Sequence, residues 1–556
     1  MNNKTNIFFR LVLIAALAVS VLGCRHQTNQ DDLQIFRYNE SAGLVTLDPA
    51  FARDQAHTWV CNQLYDGLVQ LNDSLQVKPA IAYSWEISQD GLTYTFHLRD
   101  DVRFHDDPIF NQPLRKVTAY DAAYSLKRLL DPKTASPGAW VLAKVKWEDN
   151  TPLIVPKNDS TLTIELTQPF PPFLSILSMP YCSVIPKEVV DYYGKDFRTH
   201  PVGTGPFQMK NWVENIKMVL TRNPHYFETS GDTTLPLLDG VAISFLIDKM
   251  TAFMEFAKGN FDFMSGIDPS YKDELLNKSG ELKKKYQDRF TLLGQPFLNT
   301  EYLAILVDTS MDAVKSSPLH NKKIRQALNY GFDRRKMLRY LRNNIGEAGT
   351  KGILPNGMPS YNEKAGYGYY YQPERARELI KEAGFNAKKP VPLITLVTTP
   401  DYLDLLKFAQ AQWQEVGLTV AIEVSPPASV REMKAQSKLS FFRASWIADY
   451  PDEENYLSLF CSDNFAPQGP NYTHFSNAVY DSVYRRAMLE NNPYKRTYYY
   501  RQLDSLIMEE SPIVVLYYDE SVRIIQNNVH GLTTNPMNML DLRKVHKIHP
   551  DVMITD

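Results

Sequence analysis

The sequence predicts an α/β protein of two or three domains, and three observations carry that reading. Helix-like and strand-like periodicities alternate along the second half of the chain. At 556 residues the chain is too long for one compact core. Its 35 prolines are scattered and no fixed-period repeat is present, which suits long ordered loops rather than a solenoid.

At the N-terminus, Lys4 and Arg10 precede an apolar run from Leu11 to Leu22. That run is shorter than the roughly 20 residues that span a bilayer, so residues 1–23 read as a signal peptide. The run ends in Val21-Leu22-Gly23-Cys24, which resembles the lipobox at which bacterial signal peptides are cut after a diacylglycerol is attached to the thiol. Cys24 would then begin the mature chain as its lipidation site, with residues 24–34 as a tether holding a soluble domain at a membrane face. A plain secretory signal without lipid is the alternative.

The first strand signal is Leu92-Thr93-Tyr94-Thr95-Phe96-His97-Leu98, whose alternation puts Tyr94, Phe96 and Leu98 on one face. From Val213 to Leu220 the chain is again strand-like, following Gly203-Thr204-Gly205-Pro206-Phe207. A helix is predicted between Pro373 and Gly384, with Ala376, Leu379, Ile380 and Ala383 on one side. A second follows with Leu405, Leu406, Ala409, Trp413 and Val416 at helical spacing and Gly417 as its stop. A strand is expected next, over residues 418–424.

Charge and cysteine usage narrow the function. The 60 Lys and Arg and 63 Asp and Glu are interspersed, which argues against a nucleic-acid partner. Cys61, Cys182 and Cys461 are odd in number, so at most one disulfide can form, and all three read as buried structural residues.

Searches for chemistry return little. There is no G-x-S-x-G elbow, phosphate-binding glycine loop, H-E-x-x-H or C-x-x-C. Asp100-Asp101, Asp106-Asp107 and Glu509-Glu510 read as solvated pairs whose side chains point apart. His546 and His549 are followed at once by Pro550, which disfavours a helical metal site. Gly203 to Phe207 lacks the lysine or third glycine of a nucleotide loop. Its glycines read as chosen for backbone conformation in a tight turn feeding a hairpin. No catalytic residue, metal or cofactor is expected.

The Gly203 to Phe207 turn, Trp212 and Arg222-Asn223-Pro224-His225-Tyr226-Phe227 together resemble the signature of the family 5 extracytoplasmic solute-binding proteins. These are the oligopeptide- and dipeptide-binding components of ABC importers. Leu47-Asp48-Pro49, Leu64-Tyr65-Asp66-Gly67-Leu68 and Phe96-His97-Leu98-Arg99-Asp100-Asp101 resemble the family's N-terminal blocks, and Ile324-Arg325-Gln326-Ala327-Leu328 with Phe332-Asp333-Arg334 a later helix pair. The likeness runs in order over about residues 35 to 525.

The resemblance implies a two-lobed periplasmic-binding-protein (Venus flytrap) fold, with two hinge crossovers and an additional domain on the first lobe. Lobe I would comprise residues 35–71, 197–296 and 517–556, the additional domain 72–196, and lobe II 297–516. It also implies an extracytoplasmic, membrane-anchored monomer that takes a short peptide and serves ABC transporter permease subunits. Some family members bind other solutes instead: metal chelates, haem, opines or oligosaccharides. A periplasmic peptidase is the alternative from another class.

For the site, the resemblance points to the cluster from Phe441 to Asp452. Asp449 would accept the ligand's α-ammonium. Arg443 would meet a ligand carboxylate or else form a salt bridge inside its lobe, and Trp446 would stack on the ligand or fill the lobe. Main-chain atoms of Ala444, Ser445, Trp446 and Ile447 would pair with an extended ligand, beside Tyr450. Arg53 falls where some oligopeptide-binding relatives place a cleft glutamate, so it either favours an acidic ligand group or is a surface residue. Two departures would reshape a side-chain pocket. Ser425-Pro426-Pro427-Ala428 replaces a stretch with a pocket tryptophan, and Gly138 replaces a tyrosine, with Trp140 nearby.

Overall fold

The computed structural model describes residues 33–548. The expected signal peptide, Cys24, most of the tether and His549 lie outside the described residues.

One mixed sheet of eleven strands runs through the molecule. In chain order the strands are β1 (Ile35–Asn39), β2 (Phe207–Val213), β3 (Lys217–Arg222), β4 (Gly240–Ser244), β5 (Phe263–Ser265), β6 (Phe290–Ile305), β7 (Glu347–Ala348), β8 (Ile394–Thr398), β9 (Val420–Val424), β10 (Phe441–Ile447) and β11 (Ile513–Gln526). Their spatial order is β2-β3-β4-β1-β5-β11-β6-β10-β8-β9, with β7 beside β11. β1 lies parallel to β4 and β5, and β8 parallel to β9 and β10, which gives each half a parallel element.

The long antiparallel strands β6 and β11 join the two halves. Their ladder breaks where Pro296 faces Glu520 and pairing resumes only at Thr300 with Tyr518. β6 takes up β10 at Asn299, opposite Ile447. An interrupted ladder bends more easily than a continuous one, and this interruption falls where β6 changes partners. The protein thus has two α/β lobes joined by two crossing strands.

Between β1 and β2 the chain builds a four-stranded antiparallel sheet from Ala82–Ile87, Thr93–Leu98, Thr161–Glu165 and Ile154–Asn158. Helix Ala119–Leu130 lies against it, started by a capping box of Thr118 and Asp121. Tyr94, Phe96 and Leu98 are all buried, as their alternation predicts.

The two predicted helices form at Pro373–Glu382 and Leu403–Val416, and Gly417 stops the second in the left-handed conformation at φ +96°. Trp413 is fully buried and donates its indole N–H to the Leu328 carbonyl at 2.9 Å. The expected strand from Val213 to Leu220 is corrected. Those residues contain the tip of the β2-β3 hairpin, where Asn215 has a positive φ and Ile216 N–H returns to the Val213 carbonyl. The reading missed the tip because Val213 and Ile216, apolar but exposed there, run into the apolar Met218 to Leu220.

The Gly203 to Phe207 turn also has a different cause from the expected one. Neither glycine has a positive φ. A Cβ on Gly203 would come within 2.1 Å of the Leu64 carbonyl oxygen, and one on Gly205 within 2.4 Å of the Leu64 carbonyl carbon. Close backbone approach requires these glycines, and His105 and Asn223 both donate to the Gly205 carbonyl at 2.9 Å. Cys61, Cys182 and Cys461 are buried and unpaired with one another.

Candidate functional site

β10 ends at Ile447, and the chain turns through Ala448-Asp449-Tyr450-Pro451 into a short helix at Glu454–Leu457. Asn455 at its start holds the turn. Its side-chain oxygen accepts from the Asp449 backbone N–H at 3.2 Å and from the Trp446 indole at 2.7 Å, while its amide donates to Asp449 Oδ2 at 3.4 Å.

The turn projects into a cavity of about 520 Å³. Its walls come from distant parts of the chain: Ala52 to Trp59, Trp140 with Ser175 to Tyr181, Phe297 with Ile447 to Pro451, and Met537 to Met539. Trp140 and Tyr450 face each other there, with ring centroids 6.1 Å apart. Asp449 is exposed to this space and has no cationic partner among the described residues. Desolvation by the surrounding walls raises its carboxyl above the usual range, opposed by the Asn455 hydrogen bond.

Arg53 lines the same cavity from the N-terminal part of the chain. It is exposed, and its guanidinium has neither a hydrogen bond nor an ion pair among the described residues. Tyr181 senses both charges. Its hydroxyl is pushed up to about 12, by burial first and then by Asp449, with Arg53 opposing.

The other residues of the cluster are placed differently. Arg443 does not line the cavity. Its Nε donates to Glu301 Oε2 at 3.0 Å, and its guanidinium carbon sits 3.5 Å from the Tyr402 ring centroid. Trp446, Ala444 and Ser445 are also not in the walls. Trp446 is half-buried against the core and Ala444 is buried within it. From Arg443 to Ile447, however, β10 is paired with β6 on one edge only, because its ladder to β8 is confined to Phe442 and Val397. The Trp446 carbonyl accepts from the Tyr456 hydroxyl at 3.2 Å.

Beneath the turn lie three consecutive buried acids, Asp452, Glu453 and Glu454. Asp452 accepts from Tyr500 at 2.7 Å, Glu453 from the Ser360 N–H at 2.5 Å, and Glu454 from Tyr484 at 2.6 Å and from Tyr450. Burial, and then the neighbouring Asp452, push Glu453 up to about 7. Sequence reading missed this foundation because adjacent acids ordinarily point apart into solvent.

It also missed Trp59, Tyr181 and Met537 to Met539, for which no local signal exists. Tyr181 explains Gly138: a Cβ on residue 138 would meet the Tyr181 ring at 2.3 Å, so that ring fills the volume a side chain would take. Ser425 to Ala428 lead into helix Pro427–Ala435 and contribute nothing to the cavity. Among the described residues no cluster of His, Cys, Asp and Glu is arranged to hold a metal, and no helix is long and apolar enough to cross a membrane.

Residues 76–468 match the family model for bacterial extracellular solute-binding proteins, family 5. The glutathione-binding protein GsiB of Salmonella typhi is 29% identical over 502 residues, covering 89% of this chain and 91% of the relative. Among solved structures, the unliganded open form of the periplasmic murein tripeptide-binding protein MppA shares 24% identity, covers 94% of this chain and 98% of its own, and superposes with a TM-score of 0.78. Helicobacter pylori DppA in complex with the peptide STSA also shares 24% identity, over 92% of this chain and 98% of its own, with a TM-score of 0.72. On the span of the family match and the fold, this chain belongs to the family 5 bacterial extracellular solute-binding proteins.

Proposed function

We propose that the protein is an extracytoplasmic lipoprotein, anchored through Cys24, that captures short peptides in the cleft and delivers them to the permease subunits of an ABC transporter. It acts as a monomer and performs no chemical turnover. The observation that carries the peptide reading is Asp449, an unpaired carboxylate facing the cavity. A carboxylate enclosed without a counter-charge costs several kcal/mol, and a ligand ammonium relieves that cost when the lobes close. The free edge of β10 offers main-chain pairing to an extended peptide, which supplies affinity without reading sequence.

The similar proteins favour the same class: one is named for glutathione, one for a murein tripeptide, and one holds the peptide STSA. For domain organisation we adopt 35–71, 197–296 and 517–556 as lobe I, 72–196 as the additional domain and 297–516 as lobe II. The break in the β6-β11 ladder supports the boundary near residue 297.

The test is thermal shift with pools of di- to pentapeptides. A ligand at one hundred times its Kd adds about 2.7 kcal/mol to the folded state, which a melt resolves readily. A melting temperature that rises only with a non-peptide pool of opines or metal chelates overturns the peptide reading.

A further inference from the structure

Arg53 belongs to two cavities at once. Besides lining the cavity that holds Asp449, it lines a larger groove of about 1230 Å³ between the Val45 to His57 segment and helices Ala119–Leu130 and Lys187–Tyr193. Two of the three acids of that groove are ion-paired, Asp48 with Arg128 and Asp191 with Lys187, while Asp131 accepts only from the Lys133 backbone N–H at 2.8 Å and keeps its charge, one carboxylate against four free cations among the described residues. Asp54, next to Arg53, caps the helix at Gln55–Leu64 and holds His57 Nδ1 at 2.6 Å. Lys127, Lys133 and Lys195 therefore line the groove with Arg53 and have no ion-pair partner among the described residues.

Unpaired cations gathered along one concave path create a positive potential that concentrates anions. Here the path begins in the cavity that the free carboxylate of Asp449 also lines. We infer that the site selects acidic peptides: the ligand's ammonium end meets Asp449, its first downstream carboxylate meets Arg53, and further carboxylates follow the lysines into the groove. The inference rests on the peptide reading above and adds the charge of the ligand and the site that receives it. Arg53 acts as the specificity-determining residue, because a guanidinium holds a carboxylate through two parallel hydrogen bonds where a neutral amide side chain gains much less.

The experiment is isothermal titration of the full chain with three peptides of equal length, Ala-Glu-Glu, Ala-Gln-Gln and Ala-Lys-Lys, at low and at physiological salt. The acidic peptide should bind about tenfold or more tightly than the amide peptide, with the lysine peptide weakest and the preference shrinking as salt rises. Arg53→Glu should reverse the order of the acidic and lysine peptides. Combined Lys127→Gln, Lys133→Gln and Lys195→Gln should cost the acidic peptide several-fold and leave the amide peptide unchanged. Equal affinity of wild type for acidic and amide peptides overturns the inference while the peptide reading stands. A preference that survives both sets of substitutions overturns it as well, and failure of all three peptides to bind while a mixed peptide pool still raises the melting temperature overturns the inference and leaves the peptide reading standing. These side chains are half-buried or exposed, so a thermal melt shows whether each variant is folded.

Discussion

Arg443 donates through both Nε and Nη2 to a single oxygen of Glu301; the acid is buried, the guanidinium half-buried, and neither lines the cavity of Asp449. The β6-β10 register sets this up: Glu301 faces Ser445 and Leu303 faces Arg443, so acid and guanidinium meet on the diagonal across one face of the sheet. Burial raises the Glu301 carboxyl, and Arg443 is the largest influence holding it down.

Arg443→Met should therefore act on stability first. It strands Glu301 without its counter-charge and should cost about 3–5 kcal/mol in urea or guanidinium denaturation, and adding Glu301→Gln should recover much of it. Peptide affinity lost with no change in stability would return Arg443 to direct ligand contact.

Asp449→Asn should weaken free-amine peptides by about 2–5 kcal/mol, the range for losing one partner of an enclosed charge pair. N-acetylated peptides should lose far less. Titration of matched pairs checks this, and equal losses would remove the ammonium assignment.

The buried acids predict how stability varies with pH. Glu453 ordinarily titrates at 4.5 and is raised to about 7 in the folded protein, while burial pushes Asp66 and Asp504 to about 6. Raised carboxyls make the folded state bind more protons than the unfolded state between those values. Stability is thus fully present below the unfolded pKa values and falls as pH rises through about 6 and 7. Denaturation midpoints between pH 5 and 8 should decline, and Glu453→Gln should flatten the upper part of the decline; an unchanged slope in that variant would point to other groups.

Gly205→Ala should destabilise by about 3 kcal/mol, because the added methyl meets the backbone at Leu64 and Gln63 rather than a movable side chain. Folding yield and the denaturation midpoint report the loss. Gly366, around which a Cβ would have open space, is the control: Gly366→Ala should be close to neutral.

The sequence by itself determined the elements and the family. Periodicity located Thr93–Leu98, Pro373–Glu382 and Leu403–Val416, and capping residues set their ends, because these features depend on neighbours within one or two turns of chain. It also pointed to Asp449 and Arg53, which line the same cavity from segments almost 400 residues apart. Only the tertiary structure decided that Glu301 takes Arg443, that the Tyr181 ring fills the space beside Gly138, and that three consecutive acids lie buried under the cleft turn. Each of those depends on which distant segment packs alongside, and residues that meet only through folding leave no spacing in the chain to be read.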